Sequence, residues 1–149
     1  MLFRSRTAFI VGFPGETEKA YQELKSYVAE SGFDRVAAFL YSDEEDTTAV
    51  SLDDKIERSV MEERRNELLA IQEDIASARG HARIGSVMEV LVEGPSEETP
   101  LLLEGRHEGL APEIDGVVYI NDGAANPGDF VTVEITDAAT YDLVGHIVP

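Results

Sequence analysis

The sequence predicts an α/β segment followed by an all-β barrel, and three observations carry that expectation. Residues 6–42 read as two short apolar runs separated by one amphipathic helical pattern, the grammar of a βαβ unit. Residues 53–79 keep apolar spacings of three and four, as a long one-faced helix does. From Ile84 onward come five short β-rich runs divided by Gly, Pro, Asn and Asp, the pattern of a small closed or nearly closed β-barrel. The segments expected from this are 1–52, 53–81 and 82–149.

The first strand is Arg6-Thr7-Ala8-Phe9-Ile10-Val11-Gly12, a β-branched apolar run ended by the turn Gly12-Phe13-Pro14-Gly15. Thr17 is placed to cap a helix whose face carries Ala20, Leu24, Tyr27 and Val28, with Gly32 as its stop. The second strand, Arg35 to Ser42, is a continuous apolar run of the kind covered on both faces in a parallel sheet. Strand, helix, strand in that order predicts a right-handed crossover, with ligands at the C-terminal ends of the strands. An acidic connector follows over Asp43 to Leu52, and Ser51 or Asp53 can cap the long helix through about Arg79. Its expected stripe is Ile56, Val60, Leu68, Ile71, Ile75 and Ala78, interrupted by Arg64, with Gly80 ending the helix. The barrel strands are expected at Ser86 to Val92, Leu101 to Arg106, Val117 to Asn121, Phe130 to Thr136 and Tyr141 to Val148.

Composition narrows the function. The 149 residues are 43% hydrophobic and 28% charged, inside the globular range, so a packed core is expected. No apolar run approaches the ~18 residues of a membrane span, and Met1 to Arg6 lacks a signal-peptide core, so a soluble, cytoplasmic protein is expected. There is no cysteine, which excludes disulfides, thiolate zinc sites, cysteine nucleophiles and cysteine-held iron–sulfur clusters within this chain. The net charge of −18 is unevenly shared: residues 1–80 hold 10 basic and 17 acidic side chains, residues 81–149 only 2 and 13. Such a C-terminal part repels phosphate and attracts basic partners.

Individual motifs carry less. Gly12 to Thr17 lies between a strand and a helix N-terminus, where free amides favour an anionic or polar group, yet it lacks a P-loop lysine and a dinucleotide fingerprint. On these residues alone a plain structural turn is the favoured reading. His81, His107 and His146 have no metal-ligand spacing, so surface or barrel-edge positions are expected and no metal site. Asp43 to Asp46 resembles a calcium loop only in charge, since Thr48 stands where the turn glycine belongs. Glu113 and Asp115 flank Ile114 and could do acid–base work only if a pocket enclosed them, and no catalytic residue is assigned. In the barrel, Arg83 and Arg106 are the only strongly basic residues, against the basic grooves of oligonucleotide-binding barrels, and Tyr119, Phe130 and Tyr141 can equally be core or rim. Nucleic acid is therefore an unfavoured partner and a basic protein surface a favoured one.

Stretches along nearly the whole chain resemble a known family. Arg6 to Thr17, then Phe33-Asp34-Arg35-Val36 and Tyr41-Ser42, resemble the late strands of the radical-SAM barrel in methylthiotransferases. Glu62-Glu63-Arg64-Arg65 with Leu68, Gln72 and Ile75 is similar to the helix leading out of that barrel, and Gly85 to Val148 to the TRAM β-barrel that follows it. Ala111 to Tyr119 and Tyr141 to Gly145 resemble the RimO-type branch, which modifies an aspartate of a small-subunit ribosomal protein. The resemblance implies a partial radical-SAM (βα) barrel of two strands and a helix, a linking helix and a five-stranded OB-like TRAM barrel. It implies that Ile10, Gly12, Gly15, Glu16, Thr17 and Tyr41 line the S-adenosylmethionine side, and that Arg106, Glu113 and Asp115 meet the substrate protein. For the full-length enzyme it also implies S-adenosylmethionine and two 4Fe-4S clusters, none of which this cysteine-free chain is expected to bind alone. The chain is read as the C-terminal portion of such an enzyme, inactive alone, with exposed barrel edges available for self-association. Two alternatives stay open: a portion of the tRNA-modifying sister branch, and a stand-alone RNA- or protein-binding barrel.

Overall fold

A computed structural model describes residues 5–149; residues 1–4, part of the stretch read above for a signal sequence, lie outside the described residues. The chain divides into two compact units, Met1–Ile75 and Ala76–Pro149. No helix among the described residues is long and apolar enough to cross a membrane.

In the first unit, β1 (Arg6–Val11) and β2 (Arg35–Leu40) pair in parallel, from Arg6 opposite Arg35 to Val11 opposite Leu40. The crossover is α1 (Glu18–Ser31). Thr17 caps it, its Oγ1 accepting the Ala20 N–H at 3.2 Å, and Gly32 closes it in the left-handed region at φ 56°, which a residue without Cβ takes at no steric cost. The face of α1 that enters the core carries Tyr21 and Val28, whereas Tyr27, expected there, is 54% exposed. Val11, Val36, Ala38 and Leu68 complete that core. The strands are not covered on both faces: side chains alternate along a strand, and the second face leaves Ile10 60% and Phe39 58% exposed. One crossover helix can cover only one side of a two-stranded sheet.

The long helix differs from its expected outline. Thr48–Ser51 form a short 3-10 turn, with Ser51 Oγ donating to the Thr48 carbonyl, so neither Ser51 nor Asp53 caps the helix. Asp54 then sits at positive φ, 59°, which breaks any helical run, and α2 spans Arg58–His81. Ile56 lies outside it and Ala78 is exposed. The buried positions are Arg64, Leu68, Gln72 and Ala76, four residues apart and therefore on one face, two of them polar. Gln72 is tolerated there because its side-chain amide donates to the Asp34 carbonyl at 3.1 Å. Gly80 lies inside the last turn rather than ending it.

The second unit is a closed barrel of β3 (Val87–Pro95), β4 (Leu103–Arg106), β5 (Val118–Asp122), β6 (Phe130–Ala138) and β7 (Leu143–Ile147), in the order β3-β4-β5-β7-β6. β5 and β7 pair in parallel and all other neighbours antiparallel. The all-β part of the expected fold is thus present as a five-stranded mixed barrel. Alternate residues fill it: Val90 and Val92, Val118 and Ile120, Val133 and Ile135, with Leu110, Ala138 and Leu143. Gly145 is required by close approach, since a Cβ there would stand 2.4 Å from the Glu134 carbonyl oxygen.

Candidate functional site

In the first unit, the C-terminal ends of β1 and β2 lie side by side, with the Tyr41 N–H donating to the Val11 carbonyl at 2.9 Å just past the strands. Parallel strands leave their ligand-facing loops at this end, where Gly12, Gly15, Glu16 and Thr17 follow β1 and Tyr41 follows β2. Gly12 takes φ 82° against the Met61 side chain, where a Cβ would stand 2.3 Å from Met61 Cγ. Gly15 takes φ 83° and faces open space. Ile10 stands apart, on the exposed face of β1.

Several of these side chains are committed to the loop itself. The Glu16 carboxylate accepts the Gly12 N–H at 3.1 Å and Arg64 Nη1 at 2.5 Å. Arg64 Nη1 also donates to the Glu16 carbonyl, and Nη2 to Glu18 at 3.0 Å, while the guanidinium lies 5.0 Å from the Tyr21 ring centroid. Arg64 is thus the clamp that shapes the turn. Hydrogen bonds from Gln22 and Arg64 hold the Glu18 carboxyl below its ordinary range. Burial, then the Glu67 carboxylate that receives its hydroxyl at 2.7 Å, pushes Tyr21 well above a normal phenol.

A second cluster borders the same strand ends. The Phe13 and Tyr41 rings meet edge to face at 5.3 Å. Tyr41 donates to Asp43 at 2.9 Å, and Lys55 Nζ reaches the same carboxylate while lying 5.4 Å from the Tyr41 ring centroid. Burial and Asp43 raise the Tyr41 pKa, and the hydrogen bonds from Lys55 and Tyr41 lower that of Asp43. Phe13 lies within the expected stretch Gly12 to Thr17, whereas Asp43, Lys55 and Arg64 were not expected here from sequence. Arg64 did leave a signal, because a charge in the middle of an apolar helical stripe needs a buried partner.

In the barrel, Arg106 stands on β4 and donates to Glu93 of β3 at 2.9 Å. Glu113 is exposed at φ 63° beside Ile114, which is 78% exposed. Asp115 is half-buried and turned inward, accepting the Ala111 N–H at 2.7 Å to hold the loop between β4 and β5. His107 directly follows β4, in keeping with the barrel-edge expectation, but it is buried rather than at the surface: it is 5% exposed, with Arg83 Nη1 2.8 Å from Nε2 and the Gly109 N–H 3.0 Å from Nδ1. Phe130 is 68% exposed rather than core, and Tyr119 and Tyr141 lie partly exposed at the barrel surface. Among the described residues, no group of three or more His, Asp or Glu is placed to hold a metal ion.

Comparison with known proteins defines the class first: residues 84–148, the whole barrel, match the TRAM domain family. The relatives then extend the likeness to both units. The chain is 54% identical over 96% of its length to a ribosomal protein uS12 methylthiotransferase RimO of Anaeromyxobacter sp. strain K. It is 52% and 50% identical, over the same share, to the proteins of that name from Myxococcus xanthus and Bdellovibrio bacteriovorus. The resemblance to RimO-type methylthiotransferases drawn from the motifs is borne out, and the chain spans about 30% of the length of these relatives.

Proposed function

We propose that this chain is the C-terminal portion of a cytoplasmic radical-SAM methylthiotransferase that modifies an aspartate of ribosomal protein uS12. In this reading the βαβ unit is the end of the catalytic barrel and the TRAM barrel docks the substrate. The observation that carries it is identity near 50% to RimO proteins across both units, not across the barrel alone. The charge supports the substrate assignment: 13 carboxylates against 2 arginines in residues 81–149 suit a basic protein and oppose the phosphates of RNA.

Phe13 and Tyr41 would offer S-adenosylmethionine an aromatic wall at the strand ends, whereas Ile10, on the exposed face of β1, would not join it. Glu16 and Thr17 would act indirectly, since their side chains already hold Gly12, Arg64 and the α1 cap. The clusters do not fit this chain, because their irons need thiolates and there is no cysteine. The decisive experiment is a chimera in which residues 5–149 replace the matching stretch of the Myxococcus xanthus relative. Methylthiolated uS12, read by mass spectrometry, is the expected product. A folded, cluster-loaded chimera that leaves uS12 unmodified and modifies tRNA instead would assign the chain to the sister branch.

A further inference from the structure

The strand order of the second unit locates a ligand face. Counting from β3, the barrel runs first, second, third, fifth, fourth and back to the first, with the third and fifth strands parallel. In OB-type barrels, ligands lie on the second and third strands, bordered by the loops joining first to second and fourth to fifth. Here those elements are β4, β5, residues 96–102 and residues 139–142.

Their outward side chains form one chemical surface. Tyr119 is the second residue of β5, between the buried Val118 and Ile120, and Glu104 is its cross-strand partner on β4. Glu98 comes from the first loop and Asp142, one of whose carboxylate oxygens accepts the Val117 N–H at 2.8 Å, from the second; burial first, then the charges of Glu98, Asp142 and Glu104, raises the Tyr119 pKa. The two loops and β5 contain no lysine or arginine, and Arg106 on β4 is drawn to Glu93. Apolar area borders the acids: Leu101 is 88% exposed at the end of one loop and Tyr141 38% exposed in the other. The first loop is ordered by the Ser96 N–H to the Leu102 carbonyl at 2.9 Å, and the second by the Ala139 N–H to the Asp142 carbonyl at 2.9 Å. In nucleic-acid-binding barrels an aromatic on this face stacks a base beside basic side chains. An aromatic paired across the strands with a carboxylate and bordered by acidic loops without lysine or arginine instead favours a cation over its face, because ring quadrupole and carboxylates attract the same charge.

We propose that the outer face of β4 and β5, with its two bordering loops, docks a lysine- or arginine-bearing segment of the substrate protein, one cation seated on the Tyr119 ring. This rests on the reading that the barrel meets uS12, and it moves the contact from Glu113 and Asp115 to Tyr119, Glu98, Glu104 and Asp142.

The test titrates the 149-residue chain with uS12, and separately with a tRNA, at about 50 and 200 mM salt. Tyr119→Leu is expected to weaken uS12 binding roughly ten-fold, whereas Tyr119→Phe, which keeps the ring, stays within about two-fold. Glu98→Gln with Glu104→Gln is expected to weaken it roughly ten-fold and flatten the salt dependence. The exposed pair Glu73→Gln with Glu89→Gln removes equal charge elsewhere and is expected to change it less than about two-fold. Should Tyr119→Leu fail to fold, the two charge pairs decide. Equal losses from both pairs, or no loss from either, overturn the assigned face while leaving uS12 as the partner. Absence of uS12 binding by the unaltered chain overturns the docking reading and this inference with it. Tight tRNA binding that Tyr119→Leu abolishes assigns the face to nucleic acid.

Discussion

Arg64 shows how one residue links a helix to a loop far from it in sequence. Its side chain is 8% exposed and that of its partner Glu16 12%, so neither charge can turn to water if the other is removed. Arg64→Met should therefore cost about 3 kcal/mol, the lower end for breaking a buried pair, because Glu18, the third member, is 68% exposed. Adding Glu16→Gln should recover much of that loss in urea denaturation. A double variant no more stable than Arg64→Met would mean that packing against Tyr21, not charge, sets the cost. The Lys55–Asp43–Tyr41 cluster responds to pH instead. Asp43 has a lowered pKa, so its contribution is present above the unfolded value of about 3.9 and is lost as pH falls through the folded value. Tyr41 and Lys55 have raised pKa values, so their contributions are present below about 10 and are lost at higher pH. The melting difference between the unaltered chain and Lys55→Met should thus be flat from about pH 5 to 9 and shrink outside that window. A difference that persists at about pH 2 would sink this account.

Among the elements, β1 and β2 are expected to be the least protected. They form a two-stranded sheet with one open face bearing Ile10 and Phe39, and two strands without further cover are marginal. The barrel strands close on one another and leave no edge. Hydrogen exchange should therefore be faster in β1 and β2 than in β3 and β6, unless the sheet self-associates, in which case protection rises with protein concentration. Equal protection in both units of a monomer would contradict the expectation.

For the whole molecule, the absence of cysteine is the sharpest constraint. Reconstitution of this chain with iron and sulfide should yield no protein-held 4Fe-4S cluster and no cleavage of S-adenosylmethionine. Cluster absorption that co-elutes with the protein would refute this. The relatives are about three times as long as the stretch they share with this chain, so the chimera is the form in which chemistry is to be sought.

Local grammar made much of this protein legible from sequence. The βαβ order, the Thr17 and Gly32 caps and the five barrel strands could be read because each depends on near neighbours: a capping hydroxyl, a left-handed glycine, an alternation of period two. The motifs at Gly12 to Thr17 and in the barrel likewise carried the family resemblance, since they are contiguous. What sequence could not supply were pairings across distance. Arg64 looked like a flaw in an apolar stripe until folding brought it to Glu16, forty-eight residues away. Glu98, Glu104 and Asp142 are scattered over three elements, and no spacing rule unites them. Only the closure of the barrel in this strand order brings their three elements to one side, where their charges act on Tyr119, and electrostatic attraction is decided by distances in space rather than along the chain.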